Sequence, residues 1–145
     1  MQIKESTALT LIRIALGVFF LSESYQKLGW LTDSSELLGR LTQWAASASS
    51  ANRWYVENVA IPGAPIFARA VMLGELGAGL ALVFGVWTRL AATLAFLMVM
   101  NFHYASGQLF GGLRFLTNGY ALPVLVPLVA LALAGGRLPL SVRKG

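Results

Sequence analysis

Apolar stretches separated by short polar breaks dominate this chain. They run from about Thr7 to Leu28, Pro65 to Val86, Arg89 to Tyr104 and Tyr120 to Ala134. At ~1.5 Å of rise per helical residue, about 20 residues cross the ~30 Å hydrocarbon layer of a bilayer. The first two stretches reach that length. The third and fourth are shorter, and Pro123 and Pro127 lie in the fourth. Prolines are tolerated in such a segment where neighbouring helices or water satisfy the freed carbonyls, so a kink is expected there, or a tilted or re-entrant course. Val86-Trp87-Thr88-Arg89 is short enough to force the second and third stretches into an antiparallel hairpin. The pattern predicts an all-α integral membrane four-helix bundle, a single transmembrane domain over residues 1–145. Arg13 interrupts the first stretch, and Glu23, Tyr25 and Lys27 stand where a signal cleavage site would need small residues, so this segment is expected to be a retained span.

The exception to the apolar pattern is the long segment from Gly29 to Gly63. Leu37, Leu38, Leu41 and Trp44 recur there at helical spacing with Glu36, Arg40 and Gln43 between them. This predicts a short amphipathic helix in the first outer loop, lying on the membrane or capping the bundle. The Ser/Ala run from Ala45 to Ala51 reads as a flexible connector, and Pro62 and Pro65 lead into the second span. A helix that seals the bundle is the simpler reading, and a substrate lid the alternative.

Polar residues inside the apolar stretches mark the candidate chemistry. Glu75 stands in the middle of the second stretch, where a charge costs at least ~2.5–3.5 kcal/mol and so faces a partner or a wet cavity. On the first helix, Arg13, Gly17, Phe20, Glu23, Ser24 and Lys27 share one face, at ~100° per residue. Glu23 and Lys27 form an i,i+4 pair in the favourable order. On the third helix, His103 shares a face with Arg89, Ala92, Phe96 and Val99, while Asn101 points away. Counting ~1.5 Å per residue places Glu23 and His103 roughly 20–25 Å above the inner boundary, with Glu75 near mid-membrane. The expected site is an outward-opening polar pocket with Arg13, Glu23, Lys27, Glu75 and His103 as ligand-binding residues, and Glu75 and His103 as the catalytic pair. The bland alternatives are an Arg13–Glu75 lock, a neutral Glu23–Lys27 pair and an interfacial hydrogen-bonding histidine. Gly77-Ala81-Gly85 and Ala70-Gly74-Ala78 form four-residue ladders of small side chains, suited to close helix contact within the bundle or between copies.

Composition fits a lipid environment. Hydrophobic residues make up 57% and charged residues 12% of the chain, and mean hydropathy is +0.68, whereas soluble domains carry about 25% charge. The net charge of +5 is scattered rather than gathered on one face, which argues against nucleic acid and for positive-inside topology. Four crossings place Lys4, Arg89, Arg137, Arg143 and Lys144 on one side against Glu5 alone, so both termini are expected in the cytoplasm. Tyr25, Trp30, Trp44, Trp54, Tyr55, Tyr104 and Tyr120 fall on the other side, as a thick interfacial layer. There is no cysteine and a single histidine. Thiol relays, Cys-ligated clusters and bis-His haem are therefore excluded within one chain, and no metal site is predicted. A redox role would need an organic carrier such as quinone, or a partner subunit.

Arg13, Gly17, Phe20 and Lys27-Leu28, together with Gly74-Glu75 and the segment Ala81-Leu-Val-Phe-Gly-Val-Trp-Thr-Arg-Leu-Ala-Ala92, resemble the DoxX family of small four-span membrane proteins. The resemblance runs from Leu11 to about Gly107 and carries over Arg13, Lys27, Glu75 and Arg89; the loop 29–63 is longer than the family pattern leads one to expect. It implies a multi-pass protein of the bacterial or archaeal cytoplasmic (inner) membrane. Founding members belong to a thiosulfate:quinone oxidoreductase, so the resemblance implies a quinone-linked component that takes a lipophilic or small anionic ligand. The competing class is a non-catalytic assembly or scaffold subunit, as a homo-oligomer or with a redox partner. A small permease is a third option.

Overall fold

The structure is a computed structural model that describes residues 4–134, 136 and 138–142. Arg137, Arg143 and Lys144, which carry much of the expected positive-inside bias, lie outside the described residues. The described chain is helical, without strands. Its helices are α1 (Glu5–Gln26), α2 (Ser35–Ser47), α3 (Ser50–Tyr55), α4 (Ala64–Phe84), α5 (Thr88–Ala105), α6 (Leu113–Leu116) and α7 (Leu122–Ala134). The four apolar stretches thus form α1, α4, α5 and α7. Two of these, α1 and α4, are long and apolar enough to cross a membrane, and α7 is a shorter apolar helix.

Small residues set how the helices meet. α1 and α4 pack antiparallel along their length. A Cβ on Gly17 would lie 2.7 Å from the Val83 nitrogen and 2.9 Å from the Gly79 carbonyl oxygen, and one on Gly79 would lie 2.9 Å from the Leu21 nitrogen. The seam therefore pairs 17 with 83 and 21 with 79, and continues to 27 opposite 75. Close backbone approach of this kind supplies packing where lipid offers no hydrophobic drive. In the ladder along α4, Gly77 has nothing within 4 Å of its Cβ position, so within one chain it is not part of the α1 contact. Spacing alone gives a stripe of small residues; the register with α1 decides which of them is covered.

α5 packs on α4 and α7, and α7 closes back on α1. The core between them holds Leu16, Phe20, Leu82, Ala92, Ala95, Leu128 and Leu131. Gly85, at φ +66°, and Trp87, at φ +47°, make the tight α4–α5 turn. In α7, Pro123 falls in the first turn, where its missing N–H has no helical acceptor, whereas Pro127 stands inside the helix.

The segment between α1 and α4 is more ordered than its composition predicts. α2 extends to Ser47 and α3 begins at Ser50, so the Ser/Ala run is helical except at 48 and 49. Alanine is the strongest helix former, and this outweighs the loop preference of serine. α2 caps the bundle by burying Leu37 and Leu41 against Trp30, Ala60, Ala64, Ala68, Val71 and Met72. Leu38 faces out. Asn52, buried in α3, donates from Nδ2 to the Ala105 carbonyl at 3.0 Å and pins the segment to the end of α5.

Candidate functional site

At the end of the bundle covered by α2, the C-terminus of α1, the middle of α4, the last two turns of α5 and the start of α7 surround a cavity of about 410 Å³. This lies within the size range of small-molecule sites. Phe19, Phe20, Val99, Phe102, Tyr120 and Val124 supply apolar and aromatic wall, and Glu23, Gln26, Lys27, Glu75 and His103 supply polar groups. Glu36 and Arg40 of α2 complete the lining.

Lys27 organises the polar part. It ends α1, and the α1–α4 register sets it opposite Glu75. Its Nζ donates to Glu75 Oε1 at 2.9 Å and Oε2 at 3.0 Å, and to Glu23 Oε2 at 2.8 Å. Glu75 is only 6% exposed, so the ammonium supplies the partner that a carboxylate at that depth requires. Two acids against one base leave the cluster with a formal charge of −2 + 1 = −1.

Trp30, buried just after α1, links the cluster to α2. Lys27 Nζ and Arg40 Cζ each lie 5.8 Å from its ring centroid. Its indole N–H donates to Glu36 Oε2 at 3.0 Å, and Arg40 donates to Glu36 Oε1 at 2.7 Å. The Trp30 and Arg40 hydrogen bonds hold the Glu36 carboxyl below the ordinary glutamate value.

His103 is held by a backbone contact. Its Nε2 lies 2.9 Å from the Tyr120 carbonyl oxygen. A carbonyl only accepts, so Nε2 carries the hydrogen, and in the neutral imidazole Nδ1 is an acceptor. Phe115 meets the ring edge-on at 5.5 Å between centroids.

The structure thus brings together Glu23, Lys27, Glu75 and His103. It does not bring Arg13 to them. Arg13 is fully buried at the opposite end of the α1–α4 seam, where Nη2 donates to the carbonyls of Pro139 at 3.2 Å and Leu140 at 3.0 Å. Its guanidinium lies beside Gly85, ten positions along α4 from Glu75. At ~1.5 Å per residue that separation is about 15 Å, beyond an arginine's reach, so the Arg13–Glu75 lock is replaced by Lys27–Glu75. Arg69 likewise serves the protein, with Nε and Nη1 donating to the carbonyls of Leu31 at 3.0 Å and Pro65 at 2.7 Å. Trp30, Glu36, Arg40 and Tyr120 were missed as site residues. The i,i+4 spacing of Glu36 and Arg40 was a signal of pairing, but nothing in the sequence aims that pair at Lys27.

The DoxX family model matches residues 8–107. The chain belongs to the DoxX family. The match spans α1 to the end of α5 and takes in Glu23, Lys27, Glu36, Arg40, Glu75 and His103. Only the part of the cavity wall given by α7 and the turn before it lies beyond it. No curated protein and no solved structure matches the chain. As a DoxX-family membrane protein, the chain keeps the Lys27 and Glu75 positions expected from the resemblance in direct contact, while Arg13 and Arg89 lie elsewhere. Arg89 sits beside Gly136, with Cζ 3.2 Å from where a Cβ on that glycine would be.

Proposed function

We propose that the chain is a four-span protein of the bacterial or archaeal cytoplasmic membrane, with both termini in the cytoplasm. Its outward cavity takes a lipophilic, quinone-type ring as part of a quinone-linked redox reaction. In this reading α5 and α7 join α1 and α4 as spans. The outward faces of all four support it, because Leu11, Val18, Leu73, Leu80, Leu94, Leu97, Val126 and Leu133 are exposed.

The observation that carries the reading is the joining of a buried carboxylate–ammonium cluster to an aromatic-walled cavity. The residues fit such a ring: Phe19, Phe20 and Phe102 offer apolar contact, and Glu23, Glu75 and His103 offer polar atoms at its edge. A bound quinone-type ring supplies two-electron, two-proton carrier chemistry. Glu75, held by Lys27 through both carboxylate oxygens, is placed to accept or return a proton there. Glu23, whose side chain is 23% exposed, offers the next carboxylate toward the rim. The cluster's formal charge of −1 favours a neutral ring over the small anion that the resemblance also allows. Electrons come from a partner, since the chain has no cysteine and one histidine.

The test is to extract the purified protein with organic solvent and identify the extract by mass spectrometry, then to measure binding of an added short-chain hydroquinone, kept reduced, in wild type and Glu75→Gln. Co-extraction of a lipid-soluble ring, with binding weakened by the substitution, is the expected result. No retained ring, no binding of either added hydroquinone or quinone, and a stoichiometric protein partner would replace this reading with the scaffold one.

A further inference from the structure

The hydrogen-bonding capacity at the buried end of the cavity is one-sided. The ammonium of Lys27 has three N–H bonds, and three carboxylate oxygens of Glu23 and Glu75 within 3.0 Å account for them. It has no hydrogen left for a bound molecule. His103 is committed in the same way, because its Nε2–H serves the Tyr120 carbonyl, and in the neutral imidazole Nδ1 offers only an acceptor. The two carboxylates can accept more bonds than Lys27 supplies. Spare capacity among the buried polar side chains that line the cavity is therefore acceptor capacity. The side chains with donors to spare, Gln26, Arg40 and Tyr120, are exposed at the rim.

We propose that the cavity selects the hydroxyl-bearing form of a lipophilic aromatic ring, a hydroquinone or alkylphenol, over the matching quinone or ether. This rests on the cavity being a site for such a ring, and adds which form of the ring it holds. A ring hydroxyl donates to Glu75 or Glu23, and hydrogen bonds to charged groups are the stronger kind. A carbonyl in the same place sets its lone pairs against carboxylate oxygens and goes without a donor, which leaves a desolvated polar atom unsatisfied. The net negative charge of the cluster acts in the same direction. The selectivity is one of binding, with no bond made or broken.

Two matched pairs test it on the full-length protein in nanodiscs by isothermal titration calorimetry. One pair is an alkylphenol and its methyl ether, which differ by the donor hydrogen and need no redox control. The other is a short-chain hydroquinone and its quinone, handled without oxygen. The hydroxyl member of each pair is expected to bind at least about tenfold tighter, as one hydrogen bond to a charged acceptor allows. Glu75→Gln, which replaces a carboxylate oxygen with an N–H donor, should move both ratios toward one; if that variant does not fold, Glu23→Gln serves the same comparison. Equal binding within pairs, or tighter binding of ether and quinone, overturns the selectivity while leaving the ring site standing. Failure of all four probes to bind overturns the ring site as well.

Discussion

Replacing Lys27 with methionine keeps the length and apolar stem of the side chain and removes its ammonium. The wild-type group lies within 3.0 Å of three carboxylate oxygens, and the side chains of Lys27 and Glu75 are only 11% and 8% exposed. Water screens such a pair poorly, and deleting one partner of a buried pair leaves an uncompensated charge at a cost of about 3–5 kcal/mol. For a chain near 150 residues, about 2–4 °C per kcal/mol converts this to a fall in melting temperature of roughly 6–20 °C. The assay is thermal unfolding in nanodiscs by circular dichroism, with a double variant as the decisive partner. Lys27→Met with Glu75→Gln removes both the cation and the acid it serves, so it should recover most of the loss. Glu23→Gln, which leaves a one-to-one pair, should cost about 1 kcal/mol or less. A Lys27→Met protein melting within about 2 °C of wild type, or a double variant no better than the single, would refute the claim that this pair accommodates Glu75 inside the bundle.

Gly17→Ala should destabilise by about 1–3 kcal/mol, because its Cβ meets the backbone of α4. Gly77→Ala has open space and should be neutral or gain up to about 1 kcal/mol of helix propensity; the same melting assay compares them, and similar losses would refute the observed register. Arg13→Met should free residues 138–142, seen as faster carboxypeptidase trimming, while ligand affinity at the cavity stays within about twofold, since Arg13 contacts only the far end. Acidification should loosen α2 at Trp30. The Glu36 carboxyl is held below its ordinary value of 4.5, so its contribution is complete above that pH and is lost as pH falls through the lower folded value. Half-exposure keeps the effect well under about 1 kcal/mol, so Trp30 emission is the suitable readout, and Glu36→Gln should remove the transition.

Helix existence and helix faces were legible in the sequence because they follow from periodicity. The α1 face read from Arg13, Phe20, Ser24 and Lys27 is the face that is buried, and Asn101 does point away from His103. Meeting partners across helices were harder. Depth along a helix follows from counting, but which residue of α4 stands opposite Lys27 depends on a register set by Gly17 and Gly79 in contact. That register sets Glu75 against Lys27 and rules out the alternative of a lock with Arg13. Composition misled in the loop, where alanine-rich sequence extended helices instead of ending them. The orientation of the Tyr120 carbonyl, which fixes the His103 hydrogen, is a backbone property with no sequence signal.

These contacts also bear on whether α2 only seals the bundle or belongs to the site. Leu37 and Leu41 would seal it equally well with any polar residues at 36 and 40. The residues present instead extend the cluster: Arg40 and Lys27 each lie near the ring of Trp30, and Glu36 accepts from both Arg40 and the Trp30 indole. Alternating charge about a buried aromatic ring lets α2 withdraw only by breaking polar contacts adjoining the cavity, and Lys27, Glu36 and Arg40 line its wall. Any displacement of α2 would therefore disturb the cavity wall at Glu36 and Arg40. A ligand that fills the space between Phe102 and Lys27 should hold α2 in place, and loss of Trp30 should weaken binding without removing any group proposed to contact the ring.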